Sequence, residues 1–278
     1  MDNPILLLDG MNLVNRAVYA NMSSASSIHN VVVFFRMLKA TVRHLRPSAV
    51  YMFWDTTSNT SWRKRIFLDY KDRKSEPVDG LKEQIAQTKY LLTSMLAYLN
   101  IHQFYKKYME ADDLIYAACR TLRPQKLMII STDSDYDQIP FQHDHVLIYD
   151  YKTKDTRPIP DCDPALMKSL VGDKSDTIPG YNKIGPVNGA KLTKNNLLLA
   201  EHCKTHGEDI LRRNLALIDL SLCPFLMHNM LYIRKQLTKS LQFDKNKIMD
   251  IISQHQINGI GNEISDVFTI FQAFGSSA

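Results

Sequence analysis

The stretch Tyr108-Met109-Glu110-Ala111-Asp112-Asp113-Leu114-Ile115 sets three acids at a junction between two kinds of secondary structure. Before it, His102 to Tyr108 reads as a short strand. After it, Leu114, Ile115, Ala118 and Leu122 recur at helical spacing, so Leu114 to Leu122 reads as a helix. Glu110, Asp112 and Asp113 therefore crowd a strand-to-helix turn. Carboxylates held that close repel one another and resist ionisation unless a cation neutralises them. Two readings fit: a site for a hard divalent ion with oxygen ligands, or capping of the helix N-terminus by acids. A downstream echo, Ile129-Ile130-Ser131-Thr132-Asp133-Ser134-Asp135, again puts acids directly after an apolar run.

The pattern extends in both directions. Ile5 to Leu8 is a buried-strand candidate ending at Asp9, and Val50 to Trp54 is another ending at Asp55. Lys126 to Ser131 leads to Asp133 and Asp135. Val146 to Tyr151 reads as a fifth strand, making a hairpin with Arg157 to Ile159 through Lys152-Thr153-Lys154-Asp155. Between them, Ile28 to Leu45 carries a helical stripe of Val32, Phe35, Leu38 and Val42, and Asp79 to Leu99 is a long amphipathic helix. Short apolar strands alternating with helices predict an α/β fold with a mainly parallel central sheet, flanking helices and right-handed crossovers. Ligands of such sheets sit outside the carboxyl ends of the strands. Four consecutive elements deliver acids to that edge, which favours the metal reading over capping.

From about Pro160 the chain reads as all-helical: Asp163 to Val171, then about 195–205, 208–219, 224–238 and 244–254, with Val267 to Ala278 expected to fray. Asp173 and Asp176 would share a face if their segment is helical. Ile178 to Leu192 is punctuated by glycine and proline and reads as a turn between two short helices. Such a turn can present backbone amides to a phosphate.

At 278 residues, 45% of them hydrophobic and 23% charged, the chain can bury a full core. No apolar run approaches the ~20 residues of a membrane span. The N-terminus lacks a basic region, so no signal peptide is expected. Cys119, Cys162, Cys203 and Cys223 are far apart and form no CxxC pair, which suits a reducing cytoplasm and not a thiolate zinc site. A net charge of +5 permits a polyanionic partner. The basic residues are locally dense: Ser61 to Lys74 holds six Lys/Arg interleaved with aromatics, directly after the acidic strand end at Asp55. Cations beside a carboxylate centre can hold a phosphate backbone, and aromatics can stack on bases. The competing reading is an ordinary charged surface loop.

Taken in order, these motifs resemble the 5′-nuclease superfamily of flap endonucleases, 5′→3′ exonucleases and polymerase 5′-nuclease domains. They are most similar to phage members, including the T-even-type ribonuclease H. The matching residues are Leu7-Leu8-Asp9-Gly10, Phe53-Trp54-Asp55, Trp62-Arg63, Tyr70-Lys71, Glu110-Ala111-Asp112-Asp113, Ser131 to Asp135, Gly172 to Asp176, Ile184-Gly185 and Asn214 to Asp219. The resemblance implies a PIN-like nuclease core over 1–160 and a helical region over 161–278. The core would carry a basic arch at about 56–78, and the helical region a helix–three-turn–helix at about 177–192.

It further implies two Mg²⁺ ions, replaceable by Mn²⁺. Asp9, Asp55, Glu110 and Asp112 would hold one, and Asp113, Asp133, Asp135, Asp173 and Asp176 the other. Lys71 would contact the scissile phosphate and, with Asp112 and Asp113, carry catalysis. Arg63, Lys64, Tyr70, Lys71, Arg73 and Lys74 would meet the 5′ strand, with Tyr70 stacking near the terminal base. Gly180, Lys183, Gly185 and Lys191 would meet the duplex, where relatives carry a K⁺. Here the family's usual hairpin Gly is Lys183 and its Lys-Thr is Val187-Asn188, so a phosphate contact shifts to Lys183 or Lys191.

The expected activity is 5′→3′ exonuclease, flap endonuclease and ribonuclease H hydrolysis that removes RNA primers during replication. The substrates are branched or 5′-ended duplex DNA and RNA–DNA hybrid. The expected form is a cytoplasmic monomer, with a single-strand DNA-binding protein or a sliding clamp as a candidate partner. The alternative of another class is a catalytically inactive DNA-binding scaffold, which the intact acidic set disfavours. An aspartyl-phosphate enzyme would need DxD after the first strand, where this chain has Asp9-Gly10-Met11.

Overall fold

The computed structural model describes residues 3–20, 26–56, 61–72 and 80–274. The first half runs β1 (Ile5–Asp9), α1 (Gly10–Tyr19), α2 (Ser27–Leu45), β2 (Ala49–Phe53), α3 (Arg63–Ile66), α4 (Leu81–Leu96), β3 (His102–Phe104) and α5 (Ala111–Thr121). It continues with β4 (Leu127–Ile130), α6 (Gln138–Gln142), β5 (Val146–Asp150) and β6 (Asp155–Thr156). The second half holds α7 (Pro164–Val171), β7 (Gly172–Asp173), β8 (Ile178–Pro179), α8 (Pro186–Thr193), α9 (Asn196–His206), α10 (Asp209–Ile218), α11 (Leu226–Leu237), α12 (Lys245–Gln254) and α13 (Gly261–Phe274).

The main sheet has the order β3-β2-β1-β4-β5-β6. All neighbours are parallel except β5 and β6, which form a hairpin whose return strand is Asp155–Thr156 and not the expected 157–159, because Asp150 already pairs with Asp155. The chain builds outward from β1 in one direction through β2 and β3. It then returns to the other side of β1 to lay down β4 and β5. The strand order therefore reverses between β1 and β4, where an open parallel sheet leaves a crevice at its carboxyl edge. Asp9 ends β1 at that crevice, and Asp133 follows β4.

Both faces of the sheet are covered, which is why its strands are continuous apolar runs. Leu6 and Leu8 of β1 point into one core with Val14, Phe35, Leu92 and Phe268. Ile5 and Leu7 point into a second core with Leu114, Ile115, Ile139 and Ile233. The junction at Asp9-Gly10 depends on close packing. A Cβ on Gly10 would lie 2.5 Å from the Trp54 ring and 2.8 Å from the Phe53 carbonyl oxygen.

Three further expectations change. Helix α1 was not anticipated, although Leu13, Val14, Ala17 and Val18 bury one of its faces. The C-terminal stretch expected to fray is helical through Phe274, because Ile264, Val267, Phe268 and Phe271 pack at helical spacing into the first core. At roughly 1.5–3 kcal/mol per large apolar side chain buried, that stripe is ample to hold the helix. Between 177 and 192 lies one helix and not two. Gly172-Asp173 pairs antiparallel with Ile178-Pro179, a loop follows, and α8 begins at Pro186. The helix that precedes this turn is α7, which packs against α8.

Candidate metal and nucleic-acid site

The carboxyl edge of the sheet opens as a cleft of about 170 Å³. Asp9, Asp55, Glu110, Asp112, Asp133 and Asp135 line it together with Asn12 and Lys71. Each acid is held by local structure. Asp9 caps α1, its Oδ1 accepting from the Asn12 amide at 3.0 Å, while its Oδ2 accepts from the Tyr136 hydroxyl at 3.0 Å. Asp55 Oδ1 accepts from the Ala111 amide at 2.8 Å, at the positive end of α5. Asp133 Oδ1 accepts from the Asp135 amide at 2.9 Å. The loop after α7 adds Asp173 and Asp176. The Asp173 Oδ1 accepts from the Ser175 amide at 2.8 Å, and Asp176 Oδ2 lies 3.9 Å from Lys71 Nζ.

The acids at 110–113 divide between the two readings of that stretch. Asp113 is 1% exposed, and both its oxygens are taken. Oδ2 accepts from the Glu110 amide, the Trp62 indole at 2.9 Å and Arg63 Nη1 at 3.1 Å, and Oδ1 accepts from Arg63 Nη2 at 3.0 Å. Asp113 is thus a helix cap and the anchor of Arg63. It turns away from the cleft, contrary to its expected place among the metal ligands. Glu110 and Asp112 face the cleft.

Arg63 also departs from expectation. It is 2% exposed, its Nε donates to the Leu217 carbonyl at 2.8 Å, and it stacks near Trp62 and Tyr70. It ties the 61–72 segment to α5 and α10, so it is not free to contact DNA. Tyr70 is likewise buried, with its hydroxyl donating to Glu110 Oε2 at 3.0 Å, and offers no face to a base. Lys71 does point into the cleft. Its backbone adopts the left-handed region at φ 54°, and its amide donates to the Asp176 carbonyl at 2.9 Å. Its Nζ then reaches Glu110 Oε2 at 2.6 Å. Lys64 reaches back to the Leu68 carbonyl. Arg73 and Lys74, and with them much of the expected arch, lie outside the described residues.

On the helical side, Gly180 is a packing residue: a Cβ there would lie 2.2 Å from the Val171 carbonyl carbon and oxygen. Gly185 precedes α8 as its N-cap, and Lys183 and Lys191 are exposed on either side of it.

Three contributors had no signal in the sequence. Lys168 of α7 bridges Asp135 and Asp173, Tyr136 holds Asp9, and Arg157 holds Asp137 and the carbonyls of Ser131 and Asp133. Each acts across the fold on a partner that no local periodicity specifies.

Electrostatically the cleft is over-supplied with negative charge. Burial, with Asp55 and Asp133 nearby, pushes Asp9 up to about 7. Burial pushes Asp176 up to about 6 against the pull of Lys71, and Asp135, Asp173 and Glu110 add to the rise. Burial also raises Asp112, helped by Asp113 and Glu110. Glu110 goes the other way: although burial opposes it, Arg63 and Lys71 hold it down to about 2. Among the described residues no three of these side chains close on one point as a finished cage, since Lys71 and Lys168 stand between pairs of them. The donor set nevertheless fits hard divalent ions. It is all oxygen, it lies at the sheet's crevice, and the buried Glu110 Oε1 has no hydrogen-bond partner among the described residues.

A family model described as the 5′-3′ exonuclease N-terminal resolvase-like domain matches residues 4–168. The flap endonuclease Xni of Shewanella sp. (strain W3-18-1) is 32% identical over 207 residues, covering 69% of this chain and 74% of the relative. DNA polymerase I of Streptococcus pneumoniae is 28% identical over 225 residues, covering 73% of this chain and 24% of the polymerase. Among solved structures, the T5 D15 protein co-crystallised with metal ions superposes with a TM-score of 0.68 at 18% identity. That match covers 90% of this chain and 98% of the T5 protein.

Proposed function

Because this chain belongs to the 5′-nuclease superfamily of 5′–3′ exonucleases and flap endonucleases, we propose that it hydrolyses phosphodiesters near 5′ ends of branched DNA and of RNA–DNA hybrid. The observation that supports this most is the convergence of carboxylates from four strand ends on one cleft, with Lys71 inside it. Residues 1–160 would form the nuclease core and 161–278 the region that grips duplex.

Asp9, Asp55, Glu110, Asp112, Asp133 and Asp135 would hold divalent ions, Mg²⁺ first among them, with Asp173 and Asp176 acting at the rim. When bound, a pair of such ions supplies an acidified water and charge stabilisation for the leaving oxygen. The chain's own residues do the rest. Lys71 offers its ammonium to the scissile phosphate, giving up its contact with Glu110 as the phosphate arrives. Tyr70 and Arg63 position Lys71 and Glu110 from below. Lys183 and Lys191 meet the duplex backbone, where point charges hold phosphates without reading sequence. An all-oxygen K⁺ site in the turn before α8 belongs to the same reading, as do primer removal in replication and a cytoplasmic location. No helix among the described residues is long and apolar enough to cross a membrane.

The test is cleavage of two 5′-end-labelled substrates, a 5′-flap duplex and an RNA-primed duplex, in Mg²⁺ and in EDTA. Short labelled products from both in Mg²⁺ alone are expected. Release from the flap only would remove the ribonuclease H part, and release in EDTA would remove the metal.

A further inference from the structure

The helical half contains a second cleft, of about 400 Å³, between α8 and α9. Asn188 and Lys191 line it from one helix, and Glu201, His202 and His206 from the other. The two histidines are one turn apart, with rings stacked 4.3 Å between centroids and 24° between planes. His206 Nδ1 lies 3.1 Å from the His202 carbonyl oxygen. A carbonyl only accepts, so Nδ1 carries the proton there and Nε2 is the ring atom left to face an ion. His202 Nε2 is buried with no hydrogen-bond partner among the described residues. Tyr181 packs edge-on against that ring at 4.7 Å, with its own hydroxyl committed to the Gly207 carbonyl.

We propose that His202 and His206 form a binding site for a borderline divalent transition metal, with Zn²⁺ or Cu²⁺ as its ion. Two imidazoles at i, i+4 on one helix face are a known way to bind such ions. A ring nitrogen committed to a backbone carbonyl is the usual outer support of a metal-ligating histidine. Nitrogen donors also separate this site from the carboxylate cleft, because imidazole suits zinc and copper whereas carboxylates suit magnesium and manganese. The stacked rings do not aim at one point as they stand, so the exposed His206 turns to share an ion with His202, and among the described residues no third His, Cys, Asp or Glu completes the set. An ion here would add positive charge beside Lys191, on the face that meets duplex in the reading above.

The experiment is calorimetric titration of ZnCl₂ into the full chain with Mg²⁺ in excess. Wild type, His206→Ala and Asp112→Asn are compared, and thermal unfolding is followed in parallel. His206 is exposed, so its truncation leaves the fold intact. Wild type and Asp112→Asn should share one Zn²⁺ site, and His206→Ala should weaken it at least tenfold. Zn²⁺ should raise the unfolding midpoint of the first two proteins only. Matching isotherms for wild type and His206→Ala overturn the proposal. So does Zn²⁺ uptake that disappears in Asp112→Asn, which would place the ion in the carboxylate cleft.

Discussion

Truncating Asp113 to Ala strips the main partner from a guanidinium that is 2% exposed. An uncompensated buried charge of this kind costs roughly 3–5 kcal/mol, so Asp113→Ala should lower the denaturation midpoint sharply. Asp112 is partly exposed and makes one Arg63 contact at 3.3 Å. Asp112→Ala should therefore destabilise less than Asp113→Ala, because losing that contact is offset by relief of repulsion from Asp113 and Glu110, while abolishing cleavage. Equal destabilisation of the two variants in urea would contradict the division of labour between these neighbours. Lys71→Ala should lower kcat about 10²–10³-fold, with any rise in KM much smaller, since its cation meets the phosphate on arrival and is needed most as charge develops. A rise in KM at constant kcat would make Lys71 a ground-state binder instead. The stretch 110–113 was legible as acidic and functional, but not which acid turned inward. That choice depends on Trp62 and Arg63, some fifty residues away, and on the Leu217 carbonyl beyond them.

At the scale of elements, β1 to β5 were readable because strands buried on both faces must be short apolar runs, and their acids follow directly. Helix α1 escaped because its one start signal, the capping Asp9, was read only as a strand-end acid, and the helix itself opens on glycine with no acid in its first turn. The Gly10 contact explains that opening, and Gly10→Ala should cost about 1–3 kcal/mol through overpacking against Trp54. An unchanged midpoint would show that the Trp54 ring moves freely aside. Helix α13 was hidden by the Gly-Ser-Ser-Ala end that follows it, a tail that says nothing about the apolar stripe before it. Phe271→Ala should cost about 3–5 kcal/mol, because its side chain is fully buried in the first core, where α13 packs on α2. A loss below about 1 kcal/mol would mean that the C-terminal helix contributes little to the core.

For the whole molecule, the sheet's switch point gathers the acids, Lys71 of the 61–72 segment reaches in among them, and α7, which carries Lys168 to Asp135 and Asp173, packs against α8 with its exposed Lys191. The resulting surface has a negative cleft flanked by cations, which suits a phosphate backbone led toward bound metal. Lys183→Ala and Lys191→Ala should each weaken duplex binding without changing sequence preference, and each should reduce the salt slope by about one. An unchanged slope in both would move the duplex to another face. The most direct test of the central claim is the cleavage rate of Asp112→Asn on a labelled 5′-flap duplex in Mg²⁺, with fork affinity measured alongside. Fork binding close to wild type with hydrolysis lost is the expected result. Normal cleavage by Asp112→Asn would contradict it and take the metal chemistry out of this cleft.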